Sequence, residues 1–427
     1  MRRVDKTIEA RQGPCPLNPS HDSTSSALDW LYGTQLFGIK LGLDNVHKLL
    51  TALNLPAAGQ RFIHVAGTNG KGSTCAFMHA LLRASGIQAG LFTSPHLIRF
   101  NERIRDGERM ISDAEIEEGL QRLRALVKDW DPHPTFFELT FALAMDWFRS
   151  RGLEWVILET GMGGKLDATN AITPVVSVIT AIGWDHQEIL GDTLAKIAGE
   201  KAGIIKLNVP VVTQPQLAEA QDVLEKTAAQ LNAPLRSVEP WSGDVLGLPG
   251  PHQRSNAALA IAALTAAGIH LSANQRRRGL ASVDWPGRFQ RLGPEDRFVI
   301  DGAHNLEAAQ MLLRTWQETY PDEKAVVVFG VAGDKDASAM MKTLAPIVAE
   351  WRFATFRSPR ALPPVALQHT WESLSLGVIP TSTYASVAEA LHKPSAQRLL
   401  IAGSLYLAGE TLALLEGNPD RFETSLQ

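Results

Sequence analysis

The sequence predicts an α/β protein: a phosphate-loop domain with a mostly parallel sheet, followed by a smaller second α/β domain. Three observations carry this. Apolar runs such as Trp155-Val156-Ile157-Leu158 and Val175 to Thr180 are continuous rather than alternating, as in strands covered on both faces. Helical patterns separate these runs, so the connections are crossovers and the sheet is mainly parallel. Finally, Trp285-Pro286-Gly287-Arg288 breaks the alternation, which then restarts. The break falls within 286–292. The chain divides into a flexible tail (1–26), a first domain (27–287) and a second domain (288–427).

The first element of consequence is Phe62-Ile63-His64-Val65-Ala66-Gly67-Thr68-Asn69-Gly70-Lys71-Gly72-Ser73-Thr74. An apolar strand enters a glycine-rich turn, and a helical pattern from Cys75 to Ser85 leaves it. Glycines let backbone N–H groups close around phosphate oxygens. Lys71 adds a point charge, the helix N-terminus its dipole, and Ser73 or Thr74 a hydroxyl for Mg²⁺. The spacing G-x-x-G-K-G-S is not the standard one, which would place Gly at Val65. A turn that merely needed glycine would not need Lys followed by Gly-Ser-Thr.

The tail is rich in Pro, Ser, Asn and charge. Ala27 to Leu36 predicts a short helix, and Lys40 to Leu50 a loop leading into another. Gln88 to Phe92 is the next strand and delivers Thr93-Ser94-Pro95-His96-Leu97 at its end, where open α/β sheets place ligand contacts. Helices follow at Asp113 to Trp130, with Ser112 as cap, and at Thr135 to Arg149. The next two strands end in Glu159-Thr160-Gly161-Met162-Gly163-Gly164 and in Gly183-Trp184-Asp185-His186. Beyond them come a helix at Thr193 to Ala202, a short strand at Pro210 to Thr213 and a helix at Asn256 to Gly268. After the break, strands are expected at 298–301, 325–330, 352–356 and 398–402, and helices at 305–319, 337–350, 384–392 and 405–415.

Composition excludes several classes. Hydrophobic residues are 45% and charged residues 20%, with a formal net charge of -4, which argues against nucleic acid or an anionic membrane as partner. No apolar run approaches the roughly 20 residues of a membrane span. No apolar stretch follows Arg2, Arg3 and Lys6, so a secretory signal is not expected. The two cysteines, Cys15 and Cys75, suggest no disulfide framework and fit a reducing cytoplasm.

Several strand ends carry chemistry. Glu159 stands where a phosphate-loop fold places its acidic Mg²⁺ group, although a carboxylate capping a turn explains it equally well by itself. A lone His186 is more often structural than a ligand. Its place at a neighbouring strand end, with Ser94 at a third, describes a Mg–nucleotide site. Lys201, by spacing alone, reads as a solvated lysine near a helix end. Asp301-Gly302-Ala303-His304-Asn305 ends an apolar strand and opens a helix. A cap explains one of its polar residues, and three suggest a ligand. Gly330 to Asp336 reads as a turn with local charge pairing.

In this order, these segments resemble the Mur ligase superfamily, and Thr93-Ser94-Pro95-His96-Leu97 with Asp301-Gly302-Ala303-His304-Asn305 points to its folylpolyglutamate synthase/dihydrofolate synthase branch. The resemblance covers most of the chain from about residue 33. It implies an N-terminal Mg-ATPase domain, a Rossmann-like C-terminal glutamate ligase domain, and an active site between them. It further implies that ATP phosphorylates a carboxylate and that the amine of L-glutamate displaces the phosphate. By motif match, Gly70, Lys71, Gly72 and Ser73 hold the ATP phosphates, and Asn256, Arg288 and Asp301 make further ATP contacts. Ser94 and Glu159 bind one Mg²⁺, and Glu159 with His186 a second. Lys201 matches a position that the family carbamylates, which places it at the metals. His304 and Ser404 match positions associated with glutamate. The pterin side falls to Leu41, Gly42, Leu43 and Asp44, to Phe137, Glu138, Leu139 and Thr140, and to Leu166, Asp167 and Ala168. The implied partners are ATP, L-glutamate, dihydropteroate and reduced folates, with the chain acting as a monomer.

Two rivals make different demands. A cell-wall ligase of the same superfamily carries an extra N-terminal domain, and only about 60 residues precede this phosphate loop. A non-enzymatic nucleotide switch has no use for the Asp301–Asn305 cluster.

Overall fold

The computed structural model describes residues 26–37, 42–107, 109–243 and 245–423. Most of the expected tail therefore lies outside the described residues. Strands β1 (Arg61–Ala66), β2 (Ala89–Phe92), β3 (Ile104–Asp106), β4 (Arg109–Met110), β5 (Trp155–Glu159), β6 (Val176–Ile179), β7 (Val211–Thr213) and β8 (Leu235–Ser237) form one sheet in the order β4-β3-β2-β5-β1-β6-β7-β8. It is parallel from β2 to β8, and β3 and β4 run antiparallel at one edge. A second sheet contains β9 (Gln290–Leu292), β10 (Phe298–Ile300), β11 (Ala325–Phe329), β12 (Val348–Ala354), β13 (Thr381–Tyr384) and β14 (Leu399–Ala402). Its order is β13-β12-β11-β14-β10-β9, parallel except for β9.

The continuous apolar strands are explained by where their side chains go. Along β1, Phe62 packs with helices Asp113–Val127 and Phe136–Ser150 on one face. Ile63 and Val65 pack with helices Lys71–Ala84 and Pro251–Ala266 on the other. Successive side chains point to opposite faces, and with both faces covered a polar residue needs a partner, as buried His64 has in Thr169, its Nε2 lying 2.7 Å from the Thr169 Oγ1. Each fully buried Phe of this core, such as Phe141 or Phe148, contributes about 1.5–3 kcal/mol.

Several expectations are corrected. The helix expected over 337–350 ends at Leu344, because Pro346 halts it in a short 3₁₀ turn, and β12 begins at Val348. Helix Pro364–Ser373 and edge strand β13 had no periodic signal and were not expected. The helix expected from 384 starts at Val387, because Thr381–Tyr384 is strand. Phe137–Thr140 lies in the first turns of helix Phe136–Ser150, within the helix expected over Thr135 to Arg149. No helix among the described residues is long and apolar enough to cross a membrane.

Candidate active site

The loop after β1 is built from backbone that only glycine tolerates. At Gly67 (φ 152°) a Cβ would stand 1.8 Å from Thr180 Oγ1. Gly70 caps helix Lys71–Ala84 in the left-handed region (φ 89°), and a Cβ there would meet Asn256 Oδ1 at 2.5 Å. The Lys71 Nζ folds back over its own loop, 3.2 Å from the Gly67 carbonyl and 3.4 Å from that of Thr68. Asn256 and Gln253, buried on helix Pro251–Ala266, face the same turn. Thr74 Oγ1 donates to Asn256 Oδ1 at 3.4 Å, and Gln253 Nε2 donates to Ser73 Oγ at 3.5 Å. The result is a positive helix terminus with a lysine and hydroxyls, an anion site by construction.

Three neighbouring strands bring their ends to this loop. Glu159, at the end of β5, is buried, and its Oε2 accepts the Ser94 backbone N–H at 3.2 Å. Burial raises its carboxyl above the ordinary value, against the pull of Lys71. A Cβ on Gly72 would stand 3.5 Å from Glu159 Oε2 and 3.2 Å from Trp285 Nε1, so the missing side chain leaves a space between loop, carboxylate and indole. Beyond β6, Thr68 Oγ1 donates to the Gly183 carbonyl and accepts from its N–H, both at 3.1 Å, which fastens the loop beside Asp185 and His186. Burial lowers the His186 imidazole to about 4, so it is neutral near pH 7.

Lys201 is not the solvated lysine its spacing suggests. It is 4% exposed, on the last turn of helix Leu194–Ala202, and its Nζ donates to the Gly67 carbonyl at 2.9 Å. Burial and then the charge of Lys71 lower it to about 7.

The strand ends of the second sheet face this arrangement. Asp301, after β10, uses both oxygens on backbone: Oδ2 accepts from Phe289 N and Oδ1 from Ala303 N, each at 2.8 Å. It therefore braces the connection between the sheets as it faces Arg288, whose Nη1 donates to the Gly287 carbonyl at 3.1 Å. His304 Nδ1 donates to the Gly302 carbonyl at 2.8 Å, and its Nε2 lies 3.8 Å from Asp185 Oδ2. Asn305, not His304, is the helix cap, accepting from Ala308 N at 2.9 Å. Its amide also exchanges hydrogen bonds with that of Asn69, at 3.1 and 3.2 Å. Ser404 follows β14, is buried and caps helix Leu405–Leu415, next to Gly403, which donates to the Ala303 carbonyl at 2.9 Å.

Asp185 is where the two halves meet. Lys335 Nζ lies 2.5 Å from its Oδ1, and Asn305 Nδ2 donates to its Oδ2 at 3.4 Å. Burial alone would raise this carboxyl, but His304, His186 and Lys335 hold it well below the carboxylate range. Burial lowers both imidazoles, so the lasting positive partner at neutral pH is Lys335.

Sequence reasoning missed Asp185, Lys335, Gln253 and Trp285 as site residues. Asp334 does pair locally with Lys335 (3.5 Å) and Arg360 (2.7 Å), and this local explanation hid the cross-cleft one. Trp285 left a faint signal, an aromatic donor directly before a Pro-Gly break.

On the expected folate side, Leu41 lies outside the described residues. Gly42 and Leu43 lead into helix Asp44–Ala52, with Asp44 exposed. Phe137 packs against Phe92 (5.7 Å between centroids) and against Gly161, where a Cβ would meet its ring at 2.6 Å. Glu138 closes a capping box on Thr135, and Leu139 and Thr140 are core. Asp167 accepts from the N–H groups of Gly161, Met162 and Thr169 at 2.8, 2.9 and 3.0 Å, shaping the glycine-rich turn after β5. Ala168 is buried and Leu166 is 36% exposed. Phe137 and Leu166 flank that turn, and Glu138, Leu139, Thr140, Asp167 and Ala168 are buried.

The residues suit a divalent cation of the Mg²⁺ kind. The donors are hard oxygens and a neutral imidazole, beside the space that Gly72 leaves open. Among the described residues no three His, Cys, Asp or Glu side chains form a metal cage.

Residues 65–231 match the Mur ligase middle domain, and residues 287–405 match the Mur ligase glutamate ligase domain. A Bacillus subtilis dihydrofolate synthase/folylpolyglutamate synthase is 38% identical over 368 residues, covering 78% of this chain and 86% of that protein. The chain belongs to the folylpolyglutamate synthase/dihydrofolate synthase family of Mur ligases. Among solved structures, Mycobacterium tuberculosis folylpolyglutamate synthase complexed with ADP and AMPPCP superposes with a TM-score of 0.83 at 29% identity, covering 91% of this chain and 98% of that one. The Yersinia pestis bifunctional enzyme complexed with AMPPNP and Mn gives 0.81 at 30% identity, with coverages of 92% and 98%. Membership makes this enzyme an ATP-dependent ligase with a Mur-type architecture, and separates it from the cell-wall branch and from a nucleotide switch.

Proposed function

We propose that this ligase joins L-glutamate both to dihydropteroate and to glutamylated tetrahydrofolate, as a monomer using ATP and two Mg²⁺. The observation that carries the reading is the convergence on Asp185 of the phosphate-loop sheet and the Asp301–Asn305 and Lys335 loops of the second sheet. A site divided this way can hold a nucleotide on one wall and an amine nucleophile on the other.

The acceptor carboxylate attacks the γ-phosphorus of ATP, ADP leaves and an acyl phosphate forms. The glutamate amine then attacks the acyl carbon, inorganic phosphate leaves and the amine loses a proton. Gly70, Lys71, Gly72 and Ser73 hold the phosphates, with Asn256, Arg288 and Asp301 around the rest of the nucleotide. Ser94, Glu159, His186 and a carbamylated Lys201 hold the metals, which when bound neutralise charge on the phosphoryl group in transfer. Lys71 and Arg288 add fixed positive charge between two anions. His304, neutral through burial, and Ser404 orient the glutamate. Phe137 and Leu166 offer apolar surface to the pterin, with Gly42, Leu43 and Asp44 beyond. Closure of the two halves keeps water from a hydrolysable intermediate.

Lys201 supports the carbamate reading physically. Carbamylation joins CO₂ to a neutral amine and releases a proton, and a buried amine lowered to about 7 is substantially neutral at physiological pH.

The test is phosphate release with purified enzyme, Mg-ATP and L-glutamate, comparing dihydropteroate with tetrahydrofolate. Release that requires glutamate and occurs with either acceptor is expected. Release that ignores glutamate, or a single accepted folate, would overturn the bifunctional reading.

A further inference from the structure

Two buried polar residues take no part in the reaction as proposed. His64, on β1, and Thr169, in the 3₁₀ turn Ala168–Ala171, are both fully buried. His64 Nε2 lies 2.7 Å from Thr169 Oγ1, and that hydroxyl lies 2.5 Å from Asp167 Oδ1.

The donors around Asp167 place the protons. Its Oδ1 accepts from the N–H and the hydroxyl of Thr169, and its Oδ2 from the N–H groups of Gly161 and Met162. Burial raises this carboxyl, and the surrounding donors oppose the shift. They fill the acceptor positions of a carboxylate, which leaves no room for a proton on either oxygen. The Thr169 hydroxyl therefore donates to Asp167 and can only accept from His64. The imidazole carries its proton on Nε2. Burial, and then the charge of Lys206, lowers this ring to about 3, so it is neutral near pH 7. Its Nδ1 is a buried acceptor with no partner among the described residues. An unmet acceptor costs stability, and an apolar residue here would avoid that cost. What His64 supplies that an apolar residue cannot is the Nε2 donor.

The relay ends where the strand ladder gives out. Thr160 N–H donates to the Val65 carbonyl at 2.9 Å, the last ladder bond after β5, so Glu159 is held without Asp167. Gly161 and Met162 lie beyond it, and Asp167 takes both of their N–H groups. At the far end of the loop, Asn170 Nδ2 donates to the Lys165 and Gly203 carbonyls at 2.9 and 3.1 Å. The stretch between, with Gly161 against the Phe137 ring and Leu166 exposed, takes its shape from Asp167.

We propose that His64 and Thr169 are positioning residues for the acceptor folate: the directed relay His64–Thr169–Asp167 holds the Gly161–Met162 turn, and with it the surface of Phe137 and Leu166 on which the pterin lies. This rests on the folate-side reading of Phe137 and Leu166 given above. Neither His64 nor Thr169 touches a substrate.

The test is steady-state kinetics of the full chain with dihydropteroate or tetrahydrofolate, whichever turns over faster, alongside thermal melting. The variants are Thr169→Val and Thr169→Ser, His64→Met and His64→Gln, and Leu166→Ala. Loss of one hydrogen bond in Thr169→Val or His64→Met should raise the acceptor KM about tenfold. KM for ATP and for glutamate, and the Mg²⁺ midpoint, should stay within about twofold, because the ladder and not the relay holds Glu159. Thr169→Ser and His64→Gln restore the hydroxyl and the donor, and should recover most of the acceptor affinity. His64→Met combined with Thr169→Val should match Thr169→Val alone, since His64 acts only through that hydroxyl. If Thr169→Val does not fold, the His64 pair decides. Leu166→Ala, at an exposed position, separates the two readings. A raised acceptor KM there, with no change in Thr169→Val and His64→Met, overturns the relay and keeps the folate side. The reverse result keeps the relay and moves the pterin off Leu166. Parallel rises in every KM, or Ser and Gln variants that restore nothing, reduce the pair to packing and overturn the proposal.

Discussion

Lys335 Nζ sits 2.5 Å from Asp185 Oδ1, joining a loop of the second sheet to the strand end beside the phosphate loop. Both side chains are largely buried, at 11% and 9% exposure. Around this pair stand His304, Asn305 and His186, so the ion pair lies where the proposed phosphoryl donor and amine would meet.

Breaking that pair should cost both stability and closure. Lys335→Ala leaves the Asp185 carboxylate without its cation and should destabilise by about 3 kcal/mol in denaturant unfolding. Asp185→Asn in the same background should recover part of that loss, because no charge is then left unpaired. A double-mutant cycle that shows no coupling beyond ~0.5 kcal/mol would reject the latch.

Lys71→Ala should abolish ligation while leaving the fold intact. One strong contact to the transferring phosphoryl is worth roughly 10²-fold or more in turnover. Near-normal turnover in a variant with wild-type melting behaviour would reject the loop as the phosphate site.

Glu159→Gln should weaken the response to Mg²⁺ and the turnover together. The amide keeps the shape and the Ser94 contact but loses the charge. A metal titration with an unchanged midpoint would remove Glu159 from the metal site.

The Lys201 carbamate carries a pH dependence. Its amine is lowered to about 7, so the neutral, reactive form grows as pH rises through that value. At fixed dissolved CO₂, the rate at which stripped enzyme regains activity should climb between pH 6 and 8 and then level. Lys201→Ala should be nearly inactive and partly rescued by acetate or formate. Full activity indifferent to bicarbonate, with an unmodified lysine in the electron density, contradicts the proposal.

His304→Ala should raise KM for glutamate more than KM for ATP, since losses of uniform binding appear in KM. Equal changes in both would leave His304 a packing role beside Gly302.

The sequence by itself determined the fold class, the phosphate loop and the strand ends that carry polar groups. These follow from local chemistry: a continuous apolar run with helices on either side must be buried on two faces, and Gly67 and Gly70 with Lys71 admit few backbone conformations other than an anion cradle. Family resemblance added the roles proposed for Lys201, Asp301 and Ser404, which spacing alone did not supply. Only the tertiary structure decided that Lys201 is buried against Gly67 and not solvated, that Lys335 crosses to Asp185 although Asp334 and Asp336 are its neighbours in the chain, and that Trp285 faces Gly72. Each of these contacts joins residues more than a hundred positions apart. Residue pattern reports on neighbours a few positions away, whereas burial and charge pairing at such separations exist only once the strands are ordered in their sheets and the sheets have met.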